Sequence, residues 1–146
     1  MKKLIFAVIA GLTLFQAAAG EVKWETDLAK AQAEAAKDHK LVMLLFTGSD
    51  WCPPCIKLEK DVFGSAEFAT YAAKNLVCVK SEYLKKTKQP EAVVKAHQAL
   101  ATKYNLEGYP TVIVFNAAGK KVGQMVGYNG GGLKEITALV DEAKTK

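Results

Sequence analysis

Two cysteines separated by two prolines stand where an apolar strand gives way to a helix, and this arrangement constrains the chain more than any other feature. The preceding run, residues 41–47, is short and continuously apolar, which favours a strand buried on both faces. After the cysteines, apolar residues recur at a spacing close to the helical period, at positions Ile56, Leu58, Val62 and Phe63. We therefore predict that Cys52 lies at the N-terminus of a helix.

Cysteines at this spacing can close a small disulfide or share a metal ion. The thiolate is the reactive form, and a helix N-terminus stabilises it, so we expect a lowered pKa for Cys52. Cys55 lies one turn further in, nearer the predicted core, which suits a resolving thiol. Pro53 and Pro54 are tolerated in a first helical turn and stiffen the link between the sulfurs. Trp51 is expected to shield one side of the site and offer a flat apolar surface to a partner.

The first nineteen residues have the pattern of a secretory signal peptide. Lys2 and Lys3 precede an apolar stretch, residues 4–15, and a small-residue end at 17–19. The stretch is shorter than the roughly 20 residues that a membrane-spanning helix needs, so a cleaved signal peptide is favoured and a retained membrane anchor is the alternative. We expect no stable membrane insertion of the mature chain. These observations predict a signal peptide at 1–19, a mature domain at 20–146, and a periplasmic or secreted location.

Charge and length exclude several classes of protein. Removal of Lys2 and Lys3 lowers the formal net charge from +5 to +3, and the chain contains no arginine. This argues against nucleic-acid binding, which usually depends on arginine and on basic stripes with interleaved aromatic residues. About 125 residues suit one domain with one core. No long apolar edge is evident, so we expect a monomer.

A third cysteine, Cys78, lies in the apolar segment 76–79, which is typical of a buried strand. An inert apolar thiol is the leading interpretation. A third redox-active cysteine and an intermolecular bridge stay open as alternatives.

The remaining pattern alternates helices and strands. It predicts a short strand or an extended arm at 22–24, a helix at 28–38 capped by Thr26 or Asp27, the strand at 41–47, and the helix beginning at Cys52. Gly64-Ser65 should interrupt that helix before it resumes at 66–73. There follow the strand around Cys78, a polar loop at 85–90, a helix at 91–104, an antiparallel hairpin of strands 111–115 and 121–126, and a helix through 133–140. The order predicts an α/β domain whose mixed sheet is covered on both faces.

The order of a strand, a Trp-Cys-x-x-Cys helix, and Gly108-Tyr109-Pro110-Thr111 at the start of a hairpin resembles the thioredoxin family across essentially the whole mature chain. Within the family, residues 50–63 look similar to the periplasmic C-terminal domain of the transmembrane disulfide reductant transporter. Secreted reductases of cytochrome c maturation are a close second, and tryparedoxins share the Pro-Pro dipeptide. The resemblance implies the thioredoxin fold and a protein thiol-disulfide oxidoreductase that needs no cofactor. It would act on disulfide-containing proteins and draw electrons from a separate thiol donor.

The same resemblance assigns roles at the hairpin. In the family, the proline before the hairpin is cis and packs against the active-site disulfide, which implies a cis peptide bond before Pro110. The main chain of Tyr109 would then pair with an incoming peptide as a short added strand.

One position departs from the family pattern. Many thioredoxins carry a buried aspartate where this chain has Phe46, and that aspartate helps to move the proton of the resolving cysteine. Glu59 is the candidate substitute, although a surface glutamate paired with Lys57 or Lys60 fits the pattern equally well. Asp50 suits helix capping or solvent exposure.

Three alternatives to a reductase concern the use of the cysteine pair. A reductase is the leading interpretation. The direction of electron transfer depends on the reduction potential of the partner, however, so oxidase and isomerase activity stay open. A copper or zinc carrier could use the same pair, but His39 and His97 lack ligand spacing to it. His39 is interpreted as a helix-end residue and His97 as part of a polar helix face. A redox-inactive peptide-binding scaffold is a third possibility.

Overall fold

The computed structural model describes residues 20–146, which form a five-stranded sheet with helices on both faces. Residues 1–19, which carry the predicted signal peptide, lie outside the described part of the chain. Within residues 20–146, no helix combines the length and the apolar character needed to cross a membrane.

The elements follow the predicted order. The strands are β1 Trp24–Glu25, β2 Leu41–Thr47, β3 Leu76–Glu82, β4 Thr111–Phe115 and β5 Lys121–Val126. The helices are α1 Leu28–Asp38, α2 Pro53–Leu58, α3 Ala66–Asn75, α4 Glu91–Lys103 and α5 Gly132–Ala143. Helix α2 continues as a π-helical turn over Glu59–Phe63, which ends where Gly64 and Ser65 separate it from α3.

The sheet has the order β1-β3-β2-β4-β5. Strands β1 and β2 both pair with β3 in parallel, whereas β4 runs antiparallel to β2 and to β5. The predicted mixed sheet and the predicted hairpin are therefore confirmed. The short strand at the N-terminus is displaced to Trp24–Glu25 and holds only two residues, because only these reach the edge of β3.

Alternate residues of the central strands pack into two separate apolar layers, because successive side chains of a strand point to opposite faces of the sheet. On one face, Met43 and Leu45 pack with α2, α3 and α5. On the other face, Leu44 and Phe46 pack with α1 and α4. Burial of β2 on both faces explains its unbroken apolar sequence, and the strand ends at Thr47, a few residues before the cysteines.

Candidate active site

The cysteine pair lies at the N-terminus of α2, as the sequence predicts. Cys52 is the N-cap residue with extended backbone angles, φ −102° and ψ 104°. Its Sγ accepts a hydrogen bond of 3.3 Å from the Cys55 N–H, and the two sulfurs form a disulfide with the Cα atoms 5.2 Å apart. Pro53 and Pro54 occupy the first helical positions, where a backbone N–H would have no intrahelical acceptor, so the donor that proline lacks costs no hydrogen bond.

Both thiols are buried, with Cys52 3% exposed and Cys55 2% exposed. Exposure therefore does not decide whether Cys55 lies nearer the core, as the sequence predicts. Their positions along α2 do differ, because Cys52 caps the helix and receives an N–H donor whereas Cys55 lies within the first turn.

A tight turn before the cysteines holds Trp51 against the site. The Cys52 N–H donates to the Gly48 carbonyl oxygen at 2.9 Å, and a Cβ at position 48 would overlap the indole ring, so this close approach requires glycine. The indole Nε1–H donates to the Tyr83 carbonyl oxygen at 2.7 Å. The ring meets Tyr109 edge-on, with centroids 5.2 Å apart, and Lys85 Nζ lies 3.7 Å from its centroid. Trp51 is thus fixed from three sides.

Asp50 neither caps α2 nor points freely into solvent, which corrects the sequence interpretation. Its carboxylate accepts hydrogen bonds from the backbone N–H groups of Lys85, Lys86 and Thr87, at 3.0, 2.8 and 2.9 Å. Desolvation raises the pKa of Asp50, but these donors together outweigh it and hold the pKa below its ordinary value. Asp50 therefore anchors the exposed loop over 85–88 beside the cysteine segment.

The peptide bond between Tyr109 and Pro110 is cis, as the resemblance implied. The hairpin ladder begins at Thr111, and the last main-chain bond before it joins the Gly127 N–H to the Pro110 carbonyl oxygen at 2.7 Å. Tyr109 therefore lies just beyond the sheet ladder, next to Trp51.

Glu59 lies one turn after Cys55, and its N–H donates to the Cys55 carbonyl oxygen. Its carboxylate pairs with Lys80 on β3, with Nζ to Oε2 at 3.4 Å, rather than with Lys57 or Lys60. Lys57 instead pairs with Asp61 at 2.5 Å. Glu59 is only half-buried, so its ion pair is open to solvent.

His97 differs most from its sequence interpretation. It is 4% exposed and not part of a polar helix face, because α4 turns this side chain toward the sheet. Its Nδ1 lies 2.9 Å from Ser81 Oγ and its Nε2 lies 2.7 Å from the Tyr109 hydroxyl. The sequence could not reveal this position of His97, because its hydrogen-bonding partners lie on β3 and in the cis-proline segment, outside α4.

The described residues offer the cysteine pair no further metal ligands. Within 20–146, no three or more histidine, cysteine, aspartate or glutamate side chains cluster closely enough to hold a metal ion. His39 terminates α1 in the left-handed conformation, as predicted for a helix-end residue. Both ring nitrogens of His97 lie within hydrogen-bond distance of hydroxyl groups.

Two exposed apolar side chains near the site were missed from the sequence. Ile56 follows Cys55 directly and is 49% exposed. Val126 is also exposed and is the register partner of Thr111, which follows the cis proline. An apolar residue that faces solvent can be recognised only once the orientation of its helix or strand is known, which is why the sequence did not reveal these two.

Comparison with known proteins agrees with this geometry. A family model described as a thioredoxin-like domain matches residues 28–144. The disulfide bond reductase DsbH of Chlamydia pneumoniae is 33% identical over 129 residues, which cover 88% of this chain and 77% of that protein. The thioredoxin-related protein DsbJ of the same organism is 32% identical over 95 residues, which cover 65% of this chain but only 27% of DsbJ.

Solved structures give the same result. A structure described as DsbH oxidoreductase superposes with a TM-score of 0.76 at 32% identity, covering 87% of this chain and 88% of that chain. A thioredoxin from Thermus thermophilus superposes with a TM-score of 0.63 at 22% identity over 87% of this chain and 90% of its own, which shows the fold alone. With the cysteine pair, the cis proline and these matches in place, the chain belongs to the thioredoxin-like family and is a thiol-disulfide oxidoreductase.

Proposed function

We propose that this protein is a periplasmic or secreted disulfide reductase, formed by residues 20–146 after removal of a signal peptide at 1–19. The observation that carries the proposal is the Cys52–Cys55 pair at a helix N-terminus in a chain 33% identical to a protein named disulfide bond reductase. The basic and apolar pattern of the first nineteen residues supports the location.

In the proposed reaction, the Cys52 thiolate attacks one sulfur of a substrate disulfide. A Cys52–substrate bond forms, and the other substrate sulfur leaves as a thiolate. Cys55, deprotonated, then attacks Cys52 Sγ and releases the second substrate sulfur, which closes the Cys52–Cys55 disulfide. Two electrons and two protons pass to the substrate, and a separate thiol donor must restore them.

The surroundings of the pair support this sequence of events. The Cys55 N–H that donates to Cys52 Sγ at 3.3 Å would stabilise a thiolate there, so we expect a lowered pKa for reduced Cys52. We assign the uptake of the Cys55 proton to Glu59, because it lies one turn away and no aspartate occupies position 46. The main chain of Tyr109 would pair with the substrate, with Trp51, Pro53 and Pro54 forming the adjoining contact surface.

The test is to trap the mixed disulfide. With a disulfide-containing protein as substrate, the reduced Cys55→Ser variant should accumulate a covalent complex through Cys52, visible by mass spectrometry. Cys52→Ser should accumulate none, and Cys78→Ser, the matched control, should turn over normally. Trapping through Cys78 or no trapping at all would refute the mechanism.

Direction follows from the equilibrium reduction potential, titrated against dithiothreitol and read by tryptophan fluorescence. A value near about −270 mV supports a reductase, whereas one near about −120 mV indicates a protein that inserts disulfides.

A further inference from the structure

A buried row of hydrogen bonds leads from the sheet to the residue before the cis proline. His97 lies in the middle of α4 and is almost fully enclosed. One ring nitrogen contacts the buried Ser81 hydroxyl of β3 at 2.9 Å, and the other contacts the Tyr109 hydroxyl at 2.7 Å. The three side chains come from three separate parts of the chain, so only the fold brings them together.

Aromatic rings enclose His97 on its remaining sides. Phe46 meets the ring edge-on at 5.7 Å between centroids, and Tyr83 stacks on it at 5.4 Å with an interplanar angle of 24°. Burial lowers the pKa of His97, although hydrogen bonding with the Ser81 backbone opposes this, so the surroundings favour the neutral imidazole. A neutral imidazole has one N–H and one bare nitrogen, so one hydroxyl accepts from the ring while the other donates to it.

This row fixes one end of Tyr109, and Trp51 fixes its other side. The Trp51 and Tyr109 rings meet edge to face with their centroids 5.2 Å apart, and Trp51 is itself held by its hydrogen bond to the Tyr83 carbonyl oxygen. The Tyr109 hydroxyl cannot move without leaving a buried histidine nitrogen unpaired, which is unfavourable. The side chain of Tyr109 is therefore clamped at the point where its main chain leaves the sheet ladder and enters the cis peptide bond.

We propose that His97 is a positioning residue for peptide binding: through the Tyr109 hydroxyl it holds the main chain before Pro110 in the orientation that accepts an extended substrate. The proposal rests on the proposed function and adds to it. His97 acts on recognition of the polypeptide around the disulfide and not on the exchange of sulfurs. Loss of these contacts to Tyr109 should therefore weaken the reduction of disulfides held in a peptide more than that of small disulfides that lack a main chain.

The experiment compares two substrates, a peptide closed by one disulfide and the small aromatic disulfide dithiobisnitrobenzoate. We expect Tyr109→Phe and His97→Leu to lower the ratio of kcat/KM for the peptide to that for the small disulfide by about three- to tenfold, the loss of one hydrogen bond. The change should lie in KM for the peptide. His97→Gln, which retains a polar group near the position of Nε2, should recover most of the ratio.

Tyr104→Phe is the matched control, because Tyr104 packs on Phe115 in the same apolar layer away from the cysteines. Its ratio should equal that of the unaltered protein. An unchanged ratio of the two kcat/KM values in Tyr109→Phe, or a fall in kcat for the peptide without a rise in KM, overturns the inference. Because Tyr109→Phe removes only a hydroxyl, it keeps the test decisive if His97→Leu does not fold. Failure of the unaltered protein to reduce either disulfide would instead overturn the proposed function.

Discussion

The free thiol of Cys78 should be unreactive toward alkylating reagents in the folded protein. Cys78 lies in β3, 3% exposed, between Met43 of β2 and Trp24 of β1 in the sheet register. Burial raises the pKa of this thiol from about 9 to about 12. At pH 8 about one thiol in ten is ionised at the lower pKa, but only about one in 10,000 at the higher one. Alkylation of Cys78 should therefore slow at least about a thousandfold on folding.

The assay is alkylation by iodoacetamide at pH 8, followed by mass spectrometry. The oxidised protein, with Cys52 and Cys55 joined, should take up no label while folded and one label when unfolded in guanidinium chloride. The Cys78→Ala variant with the same disulfide should take up none in either state. Labelling of folded Cys78 within the minutes needed for the unfolded chain would refute the reasoning and restore Cys78 as a third redox cysteine.

Three further predictions concern stability and proton transfer. Phe46 is fully buried, so Phe46→Ala should lower the free energy of unfolding by about 3–5 kcal/mol in a urea titration, and a loss below about 1 kcal/mol would contradict its place in the core. Hydrogen bonds from Lys57 and Tyr128 lower the pKa of Asp61, so its stabilisation is present above the unfolded-state pKa of about 4 and is lost as pH falls through the folded value. Asp61→Asn should therefore flatten the dependence of unfolding free energy on pH in that acidic range, and slopes equal to those of the unaltered protein would exclude the effect. If Glu59 takes up the Cys55 proton, Glu59→Gln should slow resolution of the mixed disulfide and change its pH profile in stopped-flow measurements, while Lys60→Gln should not; identical profiles would remove Glu59 from the mechanism.

Much of the fold was predictable because its signals are local. The apolar run of β2 is bounded by polar turn residues, and Cys52 with two following prolines marks the start of α2. The hairpin of β4 and β5 could be recognised because its two strands are separated by a five-residue link. Each of these depends on residues close in sequence, where backbone preference and periodicity act directly.

The partners of the polar side chains could not be predicted in this way. Asp50 accepts from backbone groups 35 to 37 residues later, and Glu59 pairs with Lys80, 21 residues away, instead of its helical neighbours. Such contacts depend on which strands become neighbours and on how the crossover segments approach the sheet. No periodicity within a single element carries that information.

The sequence by itself determined the reactive centre, which consists of two thiols one helical turn apart at a helix N-terminus that follows a buried strand. The tertiary structure alone decided what surrounds that centre. The sheet order β1-β3-β2-β4-β5 places Ser81 of β3 and the cis-proline segment before β4 within reach of α4, so that His97 joins the two. The physical reason is that reactivity arises from local groups, whereas burial and hydrogen bonding of a side chain depend on distant segments brought together by the packing of the sheet.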